Sequence, residues 1–188
     1  VLSNKDFIIV DKDEEPFRVK FDKIEKLRPA FKKEGTITAA NASTINDGAA
    51  VCVIMSIKKA QELNIKPIAK IVSQSSVAQA PEWFTTAPIK AMKKVISNSG
   101  LDIQDIDLFE INEAFSVVPM AAIKDLKLNV DKVNIYGGGV SLGHPIGASG
   151  ARIVCTLLNA MERKDVKLGL ASLCIGGGEA SAMIIEKT

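Results

Sequence analysis

The stretch Asn134-Ile-Tyr-Gly-Gly-Gly-Val-Ser-Leu-Gly-His-Pro-Ile-Gly-Ala-Ser-Gly150 runs from an apolar strand end through spaced glycines into a helix. A strand that stops at a glycine-rich turn and restarts as a helix is a typical joint of a layered α/β fold, in which ligands gather at the carboxyl ends of strands. Outward from this joint the chain alternates. Upstream the pattern predicts a strand over 107–111, a helical stretch to about Leu128 and a strand over 132–136; downstream it predicts a helix over 149–162 and strands over 168–173 and 180–186. Farther upstream, after Pro67, come a strand over 68–72 and a helix over 87–98, where Ile89, Met92, Val95 and Ile96 recur at helical spacing and Gly100 stands as a C-terminal cap. The order βαβαβαββ predicts an α/β domain with helices on both faces of a mixed, largely parallel sheet of five strands. Its last two strands, joined through 174–179, are expected to be antiparallel.

The first third has a different texture. Residues 1–34 are charged, weakly periodic and carry two prolines, which predicts a loop-rich surface segment with an apparent strand over 7–10. Because the chain starts at Val1 rather than Met and opens in the middle of an apparent strand, it reads as a fragment. Thr36 to Ala40 alternates, 41–48 is turn-rich, Ala49 to Ser56 is a buried-strand candidate and Ile57 to Leu63 a short helix.

Composition narrows the function classes. The 188 residues carry 24 Lys+Arg against 22 Asp+Glu, mixed along the chain, so neither a nucleic-acid footprint nor a membrane-surface patch is expected. The apolar run from Gly48 to Met55 is far too short for a bilayer span. Three widely spaced cysteines form no disulfide framework and favour a reducing compartment. With a single His and no CxxC or HExxH spacing, a zinc centre is not supported.

Three segments carry groups suited to chemistry. His144 is the one side chain of the glycine-rich loop that titrates near neutrality; the glycines let the backbone approach a ligand and Pro145 stiffens the following residue. The plain alternative is a turn with a solvent-facing His. The loop lacks the Lys-Ser/Thr ending of a P-loop and the GxGxxG of a dinucleotide site. Cys174 precedes Gly176-Gly-Gly178 at a strand end, where a thiol can serve as acid or base and free backbone N–H groups suit an oxyanion; the alternative is a buried structural Cys. Cys52, in an apolar run, and Cys155, among Ile153, Val154, Leu157 and Leu158, read as core. In Glu110-Ile-Asn-Glu-Ala-Phe115, Asn112 reads as a helix cap with Glu113 in the first turn, or as an amide placing a water or a substrate oxygen beside His144. Pro119 sets the start of the regular helix near Val118.

Jointly, Asn112-Glu-Ala-Phe115, Gly143-His-Pro-Ile-Gly-Ala-Ser-Gly150 with Asn134-x-x-Gly-Gly upstream, and Cys174-x-Gly-Gly-Gly178 resemble the thiolase family, and in particular the C-terminal half of its acetoacetyl-CoA members. The resemblance extends over nearly the whole chain. It implies an α/β/α half-domain over 67–188, the last strand and helix of an N-terminal half over 45–66 and the end of a CoA-covering loop domain over 1–44. It implies a reversible condensation of two acetyl-CoA to acetoacetyl-CoA and CoA, with Cys174 as the acid/base at the α-carbon. His144 would activate a nucleophilic cysteine and share an oxyanion hole with a water on Asn112, and the Gly176 N–H would serve a second one.

The same likeness gives Ser43 and Phe115, with His144, as contacts of the CoA thioester. It gives a potassium site through the backbone carbonyls of Ala39, Ala40, Ala42 and Val140, whose tyrosine ligand would precede residue 1. No covalent cofactor is implied, and the assembly expected of the full-length chain is a homodimer or homotetramer. The family's nucleophilic cysteine stands in its N-terminal half, and neither Cys52 nor Cys155 lies in a motif that replaces it. The fragment alone is therefore expected to be inactive. Ala180 departs from the glycine common in relatives. Glu186-Lys-Thr188 is not a peroxisomal signal, which leaves an intracellular site with the mitochondrion favoured over the cytosol. A ketoacyl-ACP synthase would need two active-site histidines, and only His144 is present. The remaining rival is a catalytically inactive acyl-CoA-binding or scaffold fragment of the same fold.

Overall fold

The computed structural model describes residues 2, 3, 6, 7 and 9–188. Strands β1 (Leu2–Ser3) and β2 (Asp6–Phe7) pair antiparallel, followed by helices α1 (Glu15–Arg18) and α2 (Ile57–Glu62). The main domain contains β3 (Ala69–Ala78), α3 (Ala87–Ser99), β4 (Leu108–Ile111), α4 (Val117–Leu126), α5 (Gly139–Leu142), α6 (Ser149–Lys164), β5 (Leu168–Cys174) and β6 (Glu179–Lys187). Among the described residues, no helix is long and apolar enough to cross a membrane.

Four strands form the sheet, in the order β3-β6-β5-β4. Only β4 and β5 are parallel; β6 is antiparallel to both β5 and β3. The sheet is therefore mixed as expected but not largely parallel, because β5 returns directly into β6 and β3 then adds to β6 in the antiparallel sense. The strand expected over 132–136 contributes a single parallel bridge, Val133 to Phe109. Beyond that bridge Asn134 adopts a positive φ of 48°, which turns the backbone away from β4 and ends the ladder. The sheet has four strands, not five, for this reason.

Helices cover both faces. On one, Met92 and Val95 of α3 and Val118 and Ala122 of α4 pack on Phe109, Ile111, Leu170, Cys174, Ala182 and Ile184. On the other, Ile153, Leu157, Ala160 and Met161 of α6 pack on Leu108, Ala171 and Ile185. The period-2 alternation of the strands thus sends each residue type to one of two apolar layers. Helix α3 ends as its sequence predicts, with Gly100 left-handed at φ 72°.

Strand β3 is longer than its apolar start suggests. Ser73, Gln74 and Ser76 continue it because β6 offers partners as far as Glu179, and buried Ser75 is satisfied by donating to the Ala91 carbonyl at 2.8 Å. Helix α4 starts at Val117, one residue before the expected position, so Pro119 falls in its first turn, where a backbone N–H is not needed. Asn112 therefore lies five residues ahead of the helix and does not cap it.

Residues 49–56 are the main departure. They form no strand, and Val51 and Val53 are 82% and 83% exposed. An extended apolar run becomes a buried strand only where a neighbouring strand takes its backbone groups, and no described strand lies beside this one. Of the strand expected over 7–10, Ile8 lies outside the described residues, Phe7 ends β2, and Ile9 and Val10 are in no strand. The rest of 9–34 is loop-rich as expected.

Candidate active site

The site forms where β4 and β5 end side by side. Their parallel register pairs Ile111 with Ser172, and the Asn112 N–H continues it by donating to the Ser172 carbonyl at 2.9 Å. Asn112 follows β4 directly and Cys174 is the last residue of β5, so both stand at the same sheet end.

His144 reaches this end from the glycine-rich loop. Gly143 takes φ 92°, and a Cβ there would run into the Asn46 side chain, so the loop can follow this path only with glycine. Its position is fixed from the other side by residues 44–46: the His144 N–H donates to the Thr44 carbonyl at 3.0 Å and to Asn46 Oδ1 at 3.2 Å.

The hydrogen bonds of the imidazole assign its tautomer. Ser149 Oγ donates to the Pro145 carbonyl at 3.0 Å, so its oxygen accepts from His144 Nδ1–H at 2.6 Å. Nε2 then carries the lone pair and faces Asn112 Nδ2 at 3.4 Å. Burial, helped by the nearby Arg152 cation, holds the His144 pKa below its ordinary value. A neutral imidazole with Nδ1–H anchored and the lone pair on Nε2 can accept a proton there and then donate it to a developing oxyanion.

Asn112 is 1% exposed, and its Oδ1 has no partner among the described residues. A buried amide oxygen left unsatisfied is costly and marks a position where another polar group belongs. Cys174 is buried, and burial pushes its thiol pKa up. The structure brings Asn112 and His144 into contact and places Cys174 at the same sheet end; among the described residues no hydrogen bond joins Cys174 to His144. Gly176 is exposed in the β5–β6 turn, and its N–H donates to no described residue.

Ser43 Oγ donates to the Ala114 carbonyl at 2.9 Å and its N–H to the same oxygen at 3.1 Å, which fastens 41–43 onto the loop after β4. Phe115, half-buried, packs edge-on against Phe31 and Phe84 at ring centroid distances of 5.8 and 6.3 Å. Ala42 bridges Phe115, and the Val140 N–H donates to Glu113 Oε2 at 3.1 Å. Segments 39–42 and 140 thus approach 113–116 from two directions.

Several working residues carried no role in the sequence. Glu113 is not in a helix turn; its carboxylate accepts from Asn134 Nδ2 at 2.8 Å and from Val140 N–H, and it lies directly under Gly138. Glu110, 2% exposed, faces Arg152 Nη1 at 3.6 Å, and burial outweighs that cation to lift its pKa to about 7. Ser149 had a legible signal, lying one helical turn beyond Pro145, but nothing local announces Glu110 or Arg152.

The thiolase C-terminal domain matches residues 65–187 of this chain and the thiolase N-terminal domain matches residues 1–58. The mitochondrial acetyl-CoA acetyltransferase of Mus musculus is 53% identical over 187 residues, 99% of this chain and 44% of its own length. A cytosolic acetyl-CoA acetyltransferase of Gibberella zeae is 50% identical over 182 residues, 97% of this chain and 46% of its own length. The Bacillus anthracis acetyl-CoA acetyltransferase superposes with a TM-score of 0.92 at 41% identity, covering all of this chain and 48% of that one. The Acat5 thiolase from Ascaris suum in complex with coenzyme A gives 0.89 at 54% identity, over 94% of this chain and 46% of that one. The chain spans less than half the length of the curated relatives it matches.

Proposed function

The chain belongs to the thiolase family, and from that premise we propose that it supplies the acid/base and oxyanion half of an acetyl-CoA C-acetyltransferase site. The observation that carries this reading is the Asn112 to His144 contact of 3.4 Å at the sheet end that also bears Cys174. The full-length protein condenses two acetyl-CoA into acetoacetyl-CoA and CoA, and runs the reverse thiolysis.

The α-proton of a thioester is weakly acidic, so its removal needs a strong base and donors aimed at the enolate oxygen. A thiol whose pKa is raised by burial gives a scarcer but more basic thiolate, which suits Cys174 to that step. In the first half-reaction His144 Nε2 takes the proton of the nucleophilic cysteine, that cysteine takes the acetyl group of one acetyl-CoA, and the Cys174 thiol gives its proton to the departing CoA thiolate. The Cys174 thiolate so formed takes the methyl proton of a second acetyl-CoA, and the protonated His144 Nε2 donates to its thioester oxygen together with a water held by Asn112. The carbanion attacks the acetyl carbonyl on the nucleophilic cysteine. The carbon–sulfur bond to the enzyme breaks, releasing acetoacetyl-CoA, and the Gly176 N–H serves the oxyanion of the acyl-transfer step. The nucleophile lies outside Cys52, Cys155 and Cys174, in the half of the relatives that this chain does not span; the 188 residues alone are inactive in this reading.

Residues 1–44 cover the CoA tail as a loop domain, with Ser43 and Phe115 at the pantetheine; 45–66 close an N-terminal half and 67–188 form the C-terminal one. Potassium belongs to this reading only as a structural ion on the carbonyls of Ala39, Ala40, Ala42 and Val140. The full-length protein is a homodimer or homotetramer inside the cell, with the mitochondrion favoured. Acetoacetyl-CoA thiolysis by the full-length protein and its Cys174→Ala form is the test. A loss of about 10²-fold or more on substitution supports the enzyme; CoA binding with no turnover in either form supports the scaffold reading instead.

A further inference from the structure

Cys52 Sγ and Cys155 Sγ lie 3.6 Å apart, and both thiols are free and half-buried. They are 103 positions apart in sequence, one in the irregular run 49–56 and the other in α6. We infer that Cys52 and Cys155 form a peroxide-oxidisable dithiol, a modification site that closes to a disulfide between the 49–56 segment and helix α6.

The geometry favours closure. A disulfide needs the sulfurs about 2.05 Å apart, so the pair must move together by roughly 1.5 Å. Side-chain rotation covers part of that distance. The remainder falls to the Cys52 side, where the backbone is outside any helix or strand. Cys155 cannot shift its helix but its Sγ already points to this segment, 3.8 Å from the Val51 carbonyl.

The chemistry balances with hydrogen peroxide as oxidant. The Cys155 thiolate attacks one peroxide oxygen, the O–O bond breaks, hydroxide leaves and Cys155 becomes a sulfenic acid. The Cys52 sulfur then attacks that sulfur, the S–S bond forms and water leaves with the second thiol proton. In sum two thiols and one peroxide give one disulfide and two waters. Burial and the Cys155 neighbour push the Cys52 thiol pKa up, so its thiolate fraction, and with it the rate of closure, grows as pH rises. In a reducing compartment the pair rests as thiols, and intracellular disulfides are mostly transient or redox-sensing ones.

The bond brackets the His144 loop. Gly48 packs on Pro145 just before the Cys52 segment, and Ser149, which holds His144 Nδ1, opens the helix that carries Cys155. The inference concerns a covalent bond and does not depend on the catalytic reading.

The test is peptide mapping by mass spectrometry, without reductant, of the full-length protein after hydrogen peroxide treatment. The expected result is a linked pair of peptides containing Cys52 and Cys155, lighter than the two reduced peptides by two hydrogen atoms, released by dithiothreitol and formed faster at higher pH. The Cys52→Ser form should yield no such pair and should accumulate oxygen on Cys155 instead. Should Cys52→Ser not fold, the map of the unsubstituted protein decides alone. Peroxide-treated protein in which both cysteines remain alkylatable, or oxidise separately to sulfinic acids with no linked peptide, overturns the inference.

Discussion

Asn134 holds Ile111 by both of its backbone groups: Oδ1 accepts from the Ile111 N–H and Nδ2 donates to the Ile111 carbonyl, each at 2.8 Å. A side-chain amide thereby does at the end of β4 what a fifth strand would have done. The same Nδ2 also reaches Glu113, so one residue aligns the strand end, the loop after it and the glycine turn that leads to His144.

Replacing Asn134 with Ala leaves two backbone groups of buried Ile111 without partners. The expected cost is about 2–6 kcal/mol, since each orphaned buried group costs on the order of 1–3 kcal/mol. Urea unfolding midpoints of the full-length protein check it; a loss below about 0.5 kcal/mol would mean that the clamp contributes nothing.

Ser149→Ala removes the acceptor of His144 Nδ1–H. The tautomer is then no longer fixed, and kcat is expected to fall about tenfold with KM nearly unchanged, because positioning and not substrate contact is lost. A ¹⁵N spectrum of the imidazole should show Nε2 as the unprotonated nitrogen in the parent and a mixture in the variant. A parent spectrum with Nδ1 unprotonated would contradict the assignment.

Glu110 gives a pH signature with a definite sign. Its pKa is about 7 when folded against 4.5 for the exposed group, so between these values the native state keeps a proton that the unfolded state releases. Stability therefore falls as pH rises through that window, by on the order of 3 kcal/mol. Glu110→Gln should flatten the slope of unfolding free energy over that range, and a variant retaining the parent's slope would show that Glu110 is not its source.

Two glycines four residues apart should behave oppositely. Gly143 sits at φ 92° against Asn46, whereas a Cβ on Gly147 would meet nothing within 4 Å. Gly143→Ala should cost at least about 2 kcal/mol and disturb the His144 loop, while Gly147→Ala should stay within about 0.5 kcal/mol. Thermal unfolding of the two side by side distinguishes them; equal losses would remove the argument.

Much of the fold could be read in the sequence because local and global preferences agree there. Ile89, Met92, Val95 and Gly100 mark α3, and the apolar layers of β5 and β6 alternate as written. The errors share one cause. Whether 49–56 or 132–136 becomes a strand is decided by what lies beside it, and the left-handed turn at Asn134 has no apolar signature. The candidate site was legible to the extent that its motif residues, Asn112 and His144, meet at one sheet end. Glu113 was misread because Glu-Ala-Phe resembles a first helical turn, yet α4 starts only at Val117. Arg152 is hidden for a related reason: on a helix pattern its polar side chain looks solvent-facing, and only the docking of α6 on β4 turns it toward Glu110.

The most direct test of the account is deuterium exchange into the methyl group of acetyl-CoA in D₂O, followed by mass spectrometry of the thioester. The account predicts exchange catalysed by the full-length protein, at least about 10²-fold slower in Cys174→Ala and unchanged in Cys52→Ser. Exchange at the parent rate in Cys174→Ala would contradict the assignment of Cys174 as the base.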